Sequence, residues 1–264
     1  AAFGLTEPGA GSDLGLISTH AERVGGRWRI TGHKTFISNA GVAGLYTLLA
    51  RTSGEPGDGG KGSLTMFALR GDAAGLATRR FEVTSPHPIG DVLLERVEVG
   101  DESVLGEVGG GLDVALATLG RFRTSVAAAA NGFARRALDE SLRRLSTRAQ
   151  FGKPLAVNQG LAFDVAEMDT RLRAAELLVR EAAEAVDRGE RAVEEVARAK
   201  LFSTENASYV CDRAVQHFGG QGVVRGNIVE QLWRDVRALR IYEGTSEVQK
   251  LILSRALFSR HRES

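Results

Sequence analysis

The run Ile241-Tyr242-Glu243-Gly244-Thr245-Ser246-Glu247 sets a carboxylate on a turn just ahead of a predicted helix. Thr245 or Ser246 can cap that helix, and Glu247 in its first turn suits the positive end of the helix dipole. Glu243 then stands outside the helix, beside Gly244. A carboxylate so placed can project into a cleft and act as a base if loss of water raises its pKa. Taken alone, the residue is better read as a surface or capping glutamate.

Two more stretches carry chemistry-bearing groups. In Leu5-Thr6-Glu7-Pro8-Gly9-Ala10-Gly11-Ser12-Asp13, the small residues allow a backbone to approach a ligand closely. Thr6 and Ser12 add hydroxyls, and loop amides can cradle phosphate. The same loop also fits a turn ahead of a strand. Lys34-Thr35-Phe36-Ile37-Ser38-Asn39 alternates like a strand, which predicts one of Phe36 and Ile37 in the core and the other exposed. An aromatic there can stack on a planar cofactor, and a buried Phe in an ordinary strand fits as well. Gly219-Gly220-Gln221-Gly222 follows a helix, and its spacing to Gly226 is wrong for a dinucleotide fingerprint. A helix C-cap with a tight loop is the plainer account, although Gln216 and this loop could still line a ligand.

Other groups exclude chemistry. His20, His33, His87, His217 and His261 lack metal-ligand spacing, so no metal site is expected. No serine-hydrolase elbow surrounds Ser12. Cys211 reads as a small buried residue in mid-helix, not a nucleophile. Arg234, Asp235 and Arg237 read as surface ion pairs.

The elements that must position these groups divide by glycine content. Residues 1–111 hold 22 of the 32 glycines and four of the five prolines, so strands and loops are expected there and helices afterwards. Strand-like runs are Ser18 to Val24, Arg27 to Ile30, Lys34 to Ser38, Leu45 to Arg51, Leu64 to Leu69, Ala77 to Val83, and Val92 to Val97. Residues 53–63 read as a flexible hairpin loop, and Gly109–Gly111 as a linker. In the second half, Leu161, Val165, Met168, Leu172, Ala175, Val179, Ala182 and Val186 form one apolar helical stripe. Leu116, Leu119, Phe122, Val126, Ala130 and Phe133 form another, between about 112 and 147. Further helices are predicted near 191–218, 228–236 and 245–258, the last burying Val248, Leu251, Ile252 and Leu257. The fold class is therefore α+β: an antiparallel β-barrel or sandwich followed by an antiparallel helical bundle.

Composition closes off other classes. The 264 residues are 43% hydrophobic and 25% charged, enough for a sizeable core and against disorder. Thirty-four Lys and Arg against 33 Asp and Glu leave a net charge of +1, which gives no support to a nucleic-acid or membrane-surface partner. One cysteine rules out an intrachain disulfide framework. No apolar run approaches the roughly 20 residues of a membrane span, and these residues show no basic n-region or apolar h-region of a signal peptide. A cytoplasmic location is the expectation. The chain lacks an initiator Met and begins inside a motif, which points to a fragment or processed product.

Five segments occur in a familiar order: LTEPGAGSD at 5–13, KTFISNAG at 34–41, RAQFGKPL at 148–155, QHFGGQG at 216–222 and RDVRALRIYEGTSEVQKLIL at 234–253. Together they resemble the acyl-CoA dehydrogenase family over essentially the whole chain. The family has an N-terminal helical domain, a middle β-domain and a C-terminal four-helix bundle. The resemblance implies a middle domain at 1–106 that binds FAD and acyl-CoA, and the helical bundle at 107–264. The N-terminal domain, which helps to wall the acyl pocket, has no counterpart here; it is lost, left out or supplied by another chain.

The resemblance also implies roles residue by residue. Leu5, Thr6, Gly11 and Ser12 match the loop that contacts FAD, with Ser12 also near the CoA thioester arm. Phe36 stands where the family often has Trp beside the flavin, and Ser38 matches a hydroxyl bonded to it. Arg148, Phe151 and Gln159 match the segment that reaches a neighbouring subunit's FAD, and Gln216, Gly219 and Gly220 the loop around its pyrophosphate. Thr245 and Glu247 match positions closing over the cofactor. Arg123, Tyr242 and Gly244 match substrate-side positions. Glu243 matches the catalytic base. Some members carry the base on the first bundle helix instead, where this chain has Phe122. The segment Ser85-Pro86-His87-Pro88-Ile89-Gly90 departs from the commoner pattern and implies a divergent subgroup.

The activity implied is α,β-dehydrogenation of an acyl-CoA to a trans-2-enoyl-CoA in fatty acid β-oxidation, with an electron-transfer flavoprotein as acceptor. A homo-oligomer is implied, a dimer or a dimer of dimers (a homotetramer). The alternatives are an acyl-CoA oxidase or flavin monooxygenase on the same fold, a non-catalytic flavin- and DNA-binding member, and an idle partner subunit.

Overall fold

The computed structural model describes residues 1–263 and separates into two compact units, Ala1–Thr118 and Leu119 onward. Strands β1 (Ala2–Gly4), β2 (His20–Val24), β3 (Arg27–Ser38), β4 (Leu45–Arg51), β5 (Leu64–Arg70), β6 (Leu76–Arg80), β7 (Ile89–Val99) and β8 (Val104–Leu105) build the first unit. Their order is β6-β7-β3-β2-β4-β5-β8, with β1 added to β4. Antiparallel pairing dominates; β1 runs parallel to β4, and β2 meets β4 in one parallel bridge. Alternating side chains from these strands fill one core around Trp28, Ile30, Ile37, Leu48, Phe67, Leu69, Val92 and Leu94. Trp28 meets Phe67 edge-on at 5.6 Å.

Two expected strands, Arg27 to Ile30 and Lys34 to Ser38, are halves of the single strand β3. Gly32 lies between them and reads as a break in sequence. In space it permits a close approach, since a Cβ there would lie 2.2 Å from Thr19 Oγ1. The 53–63 loop, expected to be flexible, is tied down. Arg51 Nη1 donates to Asp58 Oδ2 at 2.9 Å, and Ser63 Oγ donates to the same oxygen at 2.6 Å. The hydrogen bonds from Ser63 and the Gly60 N–H hold the Asp58 carboxyl at about 2.

Helix α1 (Gly111–Thr147) starts in the first unit, where Gly111 lies against β5; a Cβ would meet Met66 N at 2.5 Å. A short hairpin follows, β9 (Ala149–Gln150) and β10 (Lys153–Pro154), then α2 (Gln159–Asp187), α3 (Val193–Phe218), α4 (Ile228–Arg237) and α5 (Ser246–Glu263). The bundle core joins Ala130, Ala134, Ala137 and Leu138 to Met168, Leu172, Ala207, Val210, Cys211 and Ala214. The α2 stripe buries Met168, Leu172, Ala175 and Ala182. On α1 the buried stripe differs from expectation: Leu116 and Phe122 are exposed, and Ala127, Ala130, Ala134 and Ala137 are inside. Methyl side chains let helices approach closely where larger ones cannot. On α5, Leu251 and Leu257 are exposed, whereas the polar Ser246 and Gln249 are buried. That helix turns hydrogen-bonding groups, not leucines, toward the turn preceding it.

Candidate active site

After a 3₁₀ turn at Ala238–Arg240, the chain passes through two successive left-handed residues, Glu243 (φ +56°) and Gly244 (φ +86°). A non-glycine residue is uncommon there, and surrounding contacts must impose the conformation. Three helices do so. Arg123 Nε of α1 donates to the Glu243 carbonyl at 2.9 Å. Lys200 Nζ of α3 and Gln249 Nε2 of α5 donate to the Gly244 carbonyl at 2.7 and 3.0 Å. A Cβ on Gly244 would lie 2.8 Å from Gln249 Nε2 and 3.2 Å from Arg123 Nη2, so these contacts and the left-handed φ both favour glycine. Thr245 Oγ1 accepts from Val248 N at 3.3 Å and caps α5; Ser246 Oγ instead donates to Glu205 at 2.5 Å.

The electrostatics follow from this wiring. Burial pushes the Glu243 carboxyl above its ordinary range, against the opposing charges of Arg123 and Lys200. Its Oε2 is closed from solvent and accepts no hydrogen bond. Burial, then the charge of Arg123, brings the Lys200 ammonium down to about 8, with Glu243 acting in the other direction. Burial and then the Glu243 charge raise the neighbouring Tyr242 phenol. The two cations thus spend hydrogen bonds on backbone carbonyls and leave the carboxylate free to take a proton.

In the first unit, the structure brings the 5–13 loop beside β3. Lys34, fully buried, donates to Leu5 O at 3.1 Å and Glu7 Oε1 at 2.7 Å, and Thr35 N donates to Thr6 O at 2.9 Å. Between Lys34 and Ile37, β3 carries one extra residue relative to β7, a bulge. The bulge reverses the local alternation. Lys34, Thr35 and Ile37 are buried, and Phe36 (φ +54°) stands 61% exposed. Its ring meets Phe81 edge-on at 5.3 Å. Ser38 Oγ lies 2.8 Å from His87 Nε2. Gly11 and Ser12 are exposed, with open space around Gly11. An outward aromatic ring, a hydroxyl and an open glycine loop fit a planar group carrying phosphates.

Elsewhere, Arg148, Phe151 and Gln159 stand exposed on the β9–β10 hairpin and the start of α2. Gln216, Gly219 and Gly220 are exposed at the end of α3, where Gly219 (φ +62°) forms the C-cap. Arg144 donates to Phe218 O at 3.4 Å beside that loop. Glu247 is exposed in the first turn of α5. Cys211 is fully buried, and burial pushes its thiol up to about 12. Arg234 pairs with Glu230 one helical turn away.

Sequence reasoning assigned no role to Lys200 or Gln249. A signal existed for the first. Val196, Lys200, Ser203, Ala207 and Val210 fall on one buried helical face, and a lysine on such a face calls for a partner.

A family model described as the acyl-CoA dehydrogenase middle domain matches residues 2–97, and one described as the C-terminal domain matches residues 109–258. The chain belongs to the acyl-CoA dehydrogenase family. Members are FAD-dependent oxidoreductases, and this chain is an enzyme of that class. It is 39% identical to the 3-(aryl)acrylate reductase of Clostridium sporogenes, covering 96% of this chain and 67% of the relative. It is 38% identical to the caffeyl-CoA reductase-Etf complex subunit CarC of Acetobacterium woodii, covering 98% and 68%. The butyryl-CoA dehydrogenase structure from Megasphaera elsdenii superposes with a TM-score of 0.94 at 35% identity, covering 97% of this chain and 67% of that one. This acyl-CoA dehydrogenase homologue thus spans about two thirds of the length of these relatives. No helix among its described residues is long and apolar enough to cross a membrane.

Proposed function

We propose that the protein carries out α,β-dehydrogenation of an acyl-CoA thioester to a trans-2-enoyl-CoA, with Glu243 as the base for the α-proton. The observation that supports this most is the state of Glu243: desolvated, raised in pKa, and left with an unpartnered oxygen on a turn fixed by three helices. A carboxylate tuned upward accepts a carbon-bound proton more readily than one in water. FAD, when bound, supplies the acceptor for the β-hydrogen as hydride. Phe36, Ser38, Leu5, Thr6, Gly11 and Ser12 would hold its ring and phosphate arm from residues 1–106. Arg148, Phe151, Gln159, Gln216, Gly219, Gly220, Thr245 and Glu247 of the bundle at 107–264 would contact flavin within a homo-oligomer. Tyr242, Gly244 and Arg123 would border the thioester. Transfer of electrons to an electron-transfer flavoprotein, and a cytoplasmic role in acyl-chain degradation, complete the proposal.

The test is anaerobic. With acyl-CoA added to the FAD-loaded protein, the oxidised flavin band should bleach. Glu243→Gln should keep the bound flavin and lose the bleaching by a factor of at least about a thousand. Rapid bleaching in that variant would overturn the assignment of the base.

A second reading runs the same chemistry backward, as reduction of an enoyl or arylacrylyl thioester. Two relatives near 40% identity named as reductases favour it. A protonated Glu243 would then donate to the α-carbon, which a raised pKa also serves. Chemically reduced protein mixed with cinnamoyl-CoA or crotonyl-CoA separates the readings: reoxidation faster than forward bleaching supports reduction.

A further inference from the structure

We propose that Lys200 is a positioning residue for Glu243: its ammonium ties down the Gly244 carbonyl and supplies a positive charge that favours the ionised form of the adjacent carboxylate for proton abstraction. The inference rests on the reading of Glu243 as the base. Lys200 is fully buried in the first third of α3, on the buried face of that helix. A lysine gains nothing from such a position unless its head group meets a partner, and an unpaired buried ammonium is strongly unfavourable. The partner here is a main-chain oxygen, Gly244 O at 2.7 Å, immediately after the base. Gln249, also fully buried, donates to the same oxygen at 3.0 Å. One neutral donor therefore already satisfies the carbonyl, and what the lysine adds is positive charge.

That charge acts on a carboxylate in conflict. Burial favours the neutral acid, and Arg123 and Lys200 favour the ionised form. The charged and titratable groups around the turn come from every element packed on it: Arg123 of α1, Lys200 and Glu205 of α3, Arg240 and Tyr242 beside the turn, and Glu247 and Lys250 of α5. Glu205 is occupied by Arg240 and Ser246. Arg123 and Lys200 are the two cations that act directly on Glu243. Arg123 keeps its charge throughout the working pH range. Lys200, brought down to about 8, is charged below that value and discharges above it. The base therefore has its full cationic support in the neutral range and loses part of it in alkali.

The experiment uses the full FAD-loaded chain with glutamate labelled at the side-chain carboxyl carbon and lysine labelled at Nζ, followed by NMR across pH. Glu243→Gln and Lys200→Gln assign the two resonances. Lys200→Gln keeps a polar side chain and removes the charge, while Gln249 still donates to the Gly244 carbonyl. The Glu243 titration midpoint should move upward in that variant. The acid limb of acyl-CoA-driven flavin reduction should move with it, with a lower rate on the acid side of the shifted midpoint and recovery at higher pH. Lys200→Arg, which restores the cation, should return the midpoint toward its original position. Coupling is reciprocal, so Glu243→Gln should lower the midpoint of the Lys200 resonance; this arm stands even if Lys200→Gln does not fold. Midpoints that stay unmoved in both directions would overturn the proposal. Normal flavin reduction by Glu243→Gln, with the midpoints still coupled, would instead overturn the reading of Glu243 as the base.

Discussion

Two regions of this chain set a glutamate near a fully buried lysine, with opposite results. In the first unit, Glu7 and Lys34 pair at 2.7 Å, and both are shut off from solvent. Burial raises the Glu7 carboxyl, but the Lys34 charge and hydrogen bond, with Thr19 and the Ser18 N–H, outweigh it and hold the group at about 2. In the second unit, Glu243 has two cations nearby, yet its carboxyl is raised. The difference lies in where the donors point. Both Glu7 oxygens are saturated, Oε2 by Ser18 N and Ser18 Oγ and Oε1 by Thr19 N and Lys34 Nζ. Around Glu243 the cations direct hydrogen bonds to the main chain, and Oε2 accepts none. Proximity of opposite charge alone is thus insufficient to lower such a carboxyl; at Glu7 the Lys34 charge acts together with hydrogen bonds to both oxygens, and at Glu243 charge acts without them. A saturated carboxylate is a structural rivet, and an unsaturated one is available for proton transfer.

The strongest way to break this comparison is to remove the rivet's cation. Lys34→Met leaves Glu7 buried without a counter-charge and should lower unfolding stability by about 3–5 kcal/mol. Adding Glu7→Gln should return part of the loss, since the double variant buries no charge. Urea unfolding measures both. A loss under 1 kcal/mol for Lys34→Met would mean that Ser18 and Thr19 alone stabilise the carboxylate.

Acid sharpens the same contrast. The Glu7 carboxyl is depressed in the fold, so the unfolded chain binds the proton more tightly between its own pKa and about 2. Stability from this group is complete above roughly pH 4.5 and is lost as pH falls toward 2, on the order of 3 kcal/mol in all. Glu7→Gln should flatten that limb. Stability curves of the two proteins that stay parallel from pH 5 to pH 2 would show that Glu7 has no depressed carboxyl.

Much of this arrangement was legible in the residues. The glycine and proline content separated strands from helices, and the alternation through Phe36 and Ile37 left one of them for solvent. The bulge that selects Phe36 was not legible, because it depends on the register of β3 against β7. The turn before α5 was readable from Gly244 and the capping Thr245. The buried face of α5 was not, since periodicity places leucines inward, whereas tertiary hydrogen bonds draw Gln249 and Ser246 there. Lys200 escaped because a lysine in a helix is ordinarily solvated; only its register on the Val196–Val210 face betrays it. Motif resemblance located Glu243, but the helices that strain and hold it are a property of the assembled bundle.

A smaller effect is expected from Gly244→Ala. A left-handed φ of +86° and the close approach of Gln249 and Arg123 both oppose a Cβ. The cost should be about 1–3 kcal/mol, and it should fall on the α5 end of the bundle, with early hydrogen exchange at Thr245 to Val248. The saturated carboxylate lies in the other unit, so its acid limb should be unchanged. A shift in that limb would mean that the two sites are coupled and cannot be contrasted as independent arrangements.

The smallest effect has the opposite sign from the first. A carboxyl raised in the fold binds its proton more tightly when folded than when unfolded. Stability therefore falls as pH rises from the ordinary glutamate range through the raised value, the reverse of the Glu7 limb. Glu243→Gln removes this titration while keeping side-chain volume. The variant should match the parent near pH 4, where both side chains are neutral, and exceed it modestly as pH rises toward 7 and the parent's carboxyl ionises. Thermal unfolding at the two pH values reads the difference directly. A variant less stable than its parent at pH 7 would mean that Arg123 and Lys200 satisfy the carboxylate after all, and that Glu243 belongs with Glu7 as a structural group. A gain at pH 7 would mean instead that the protein sacrifices stability at this residue, the trade expected of a group held ready for reaction.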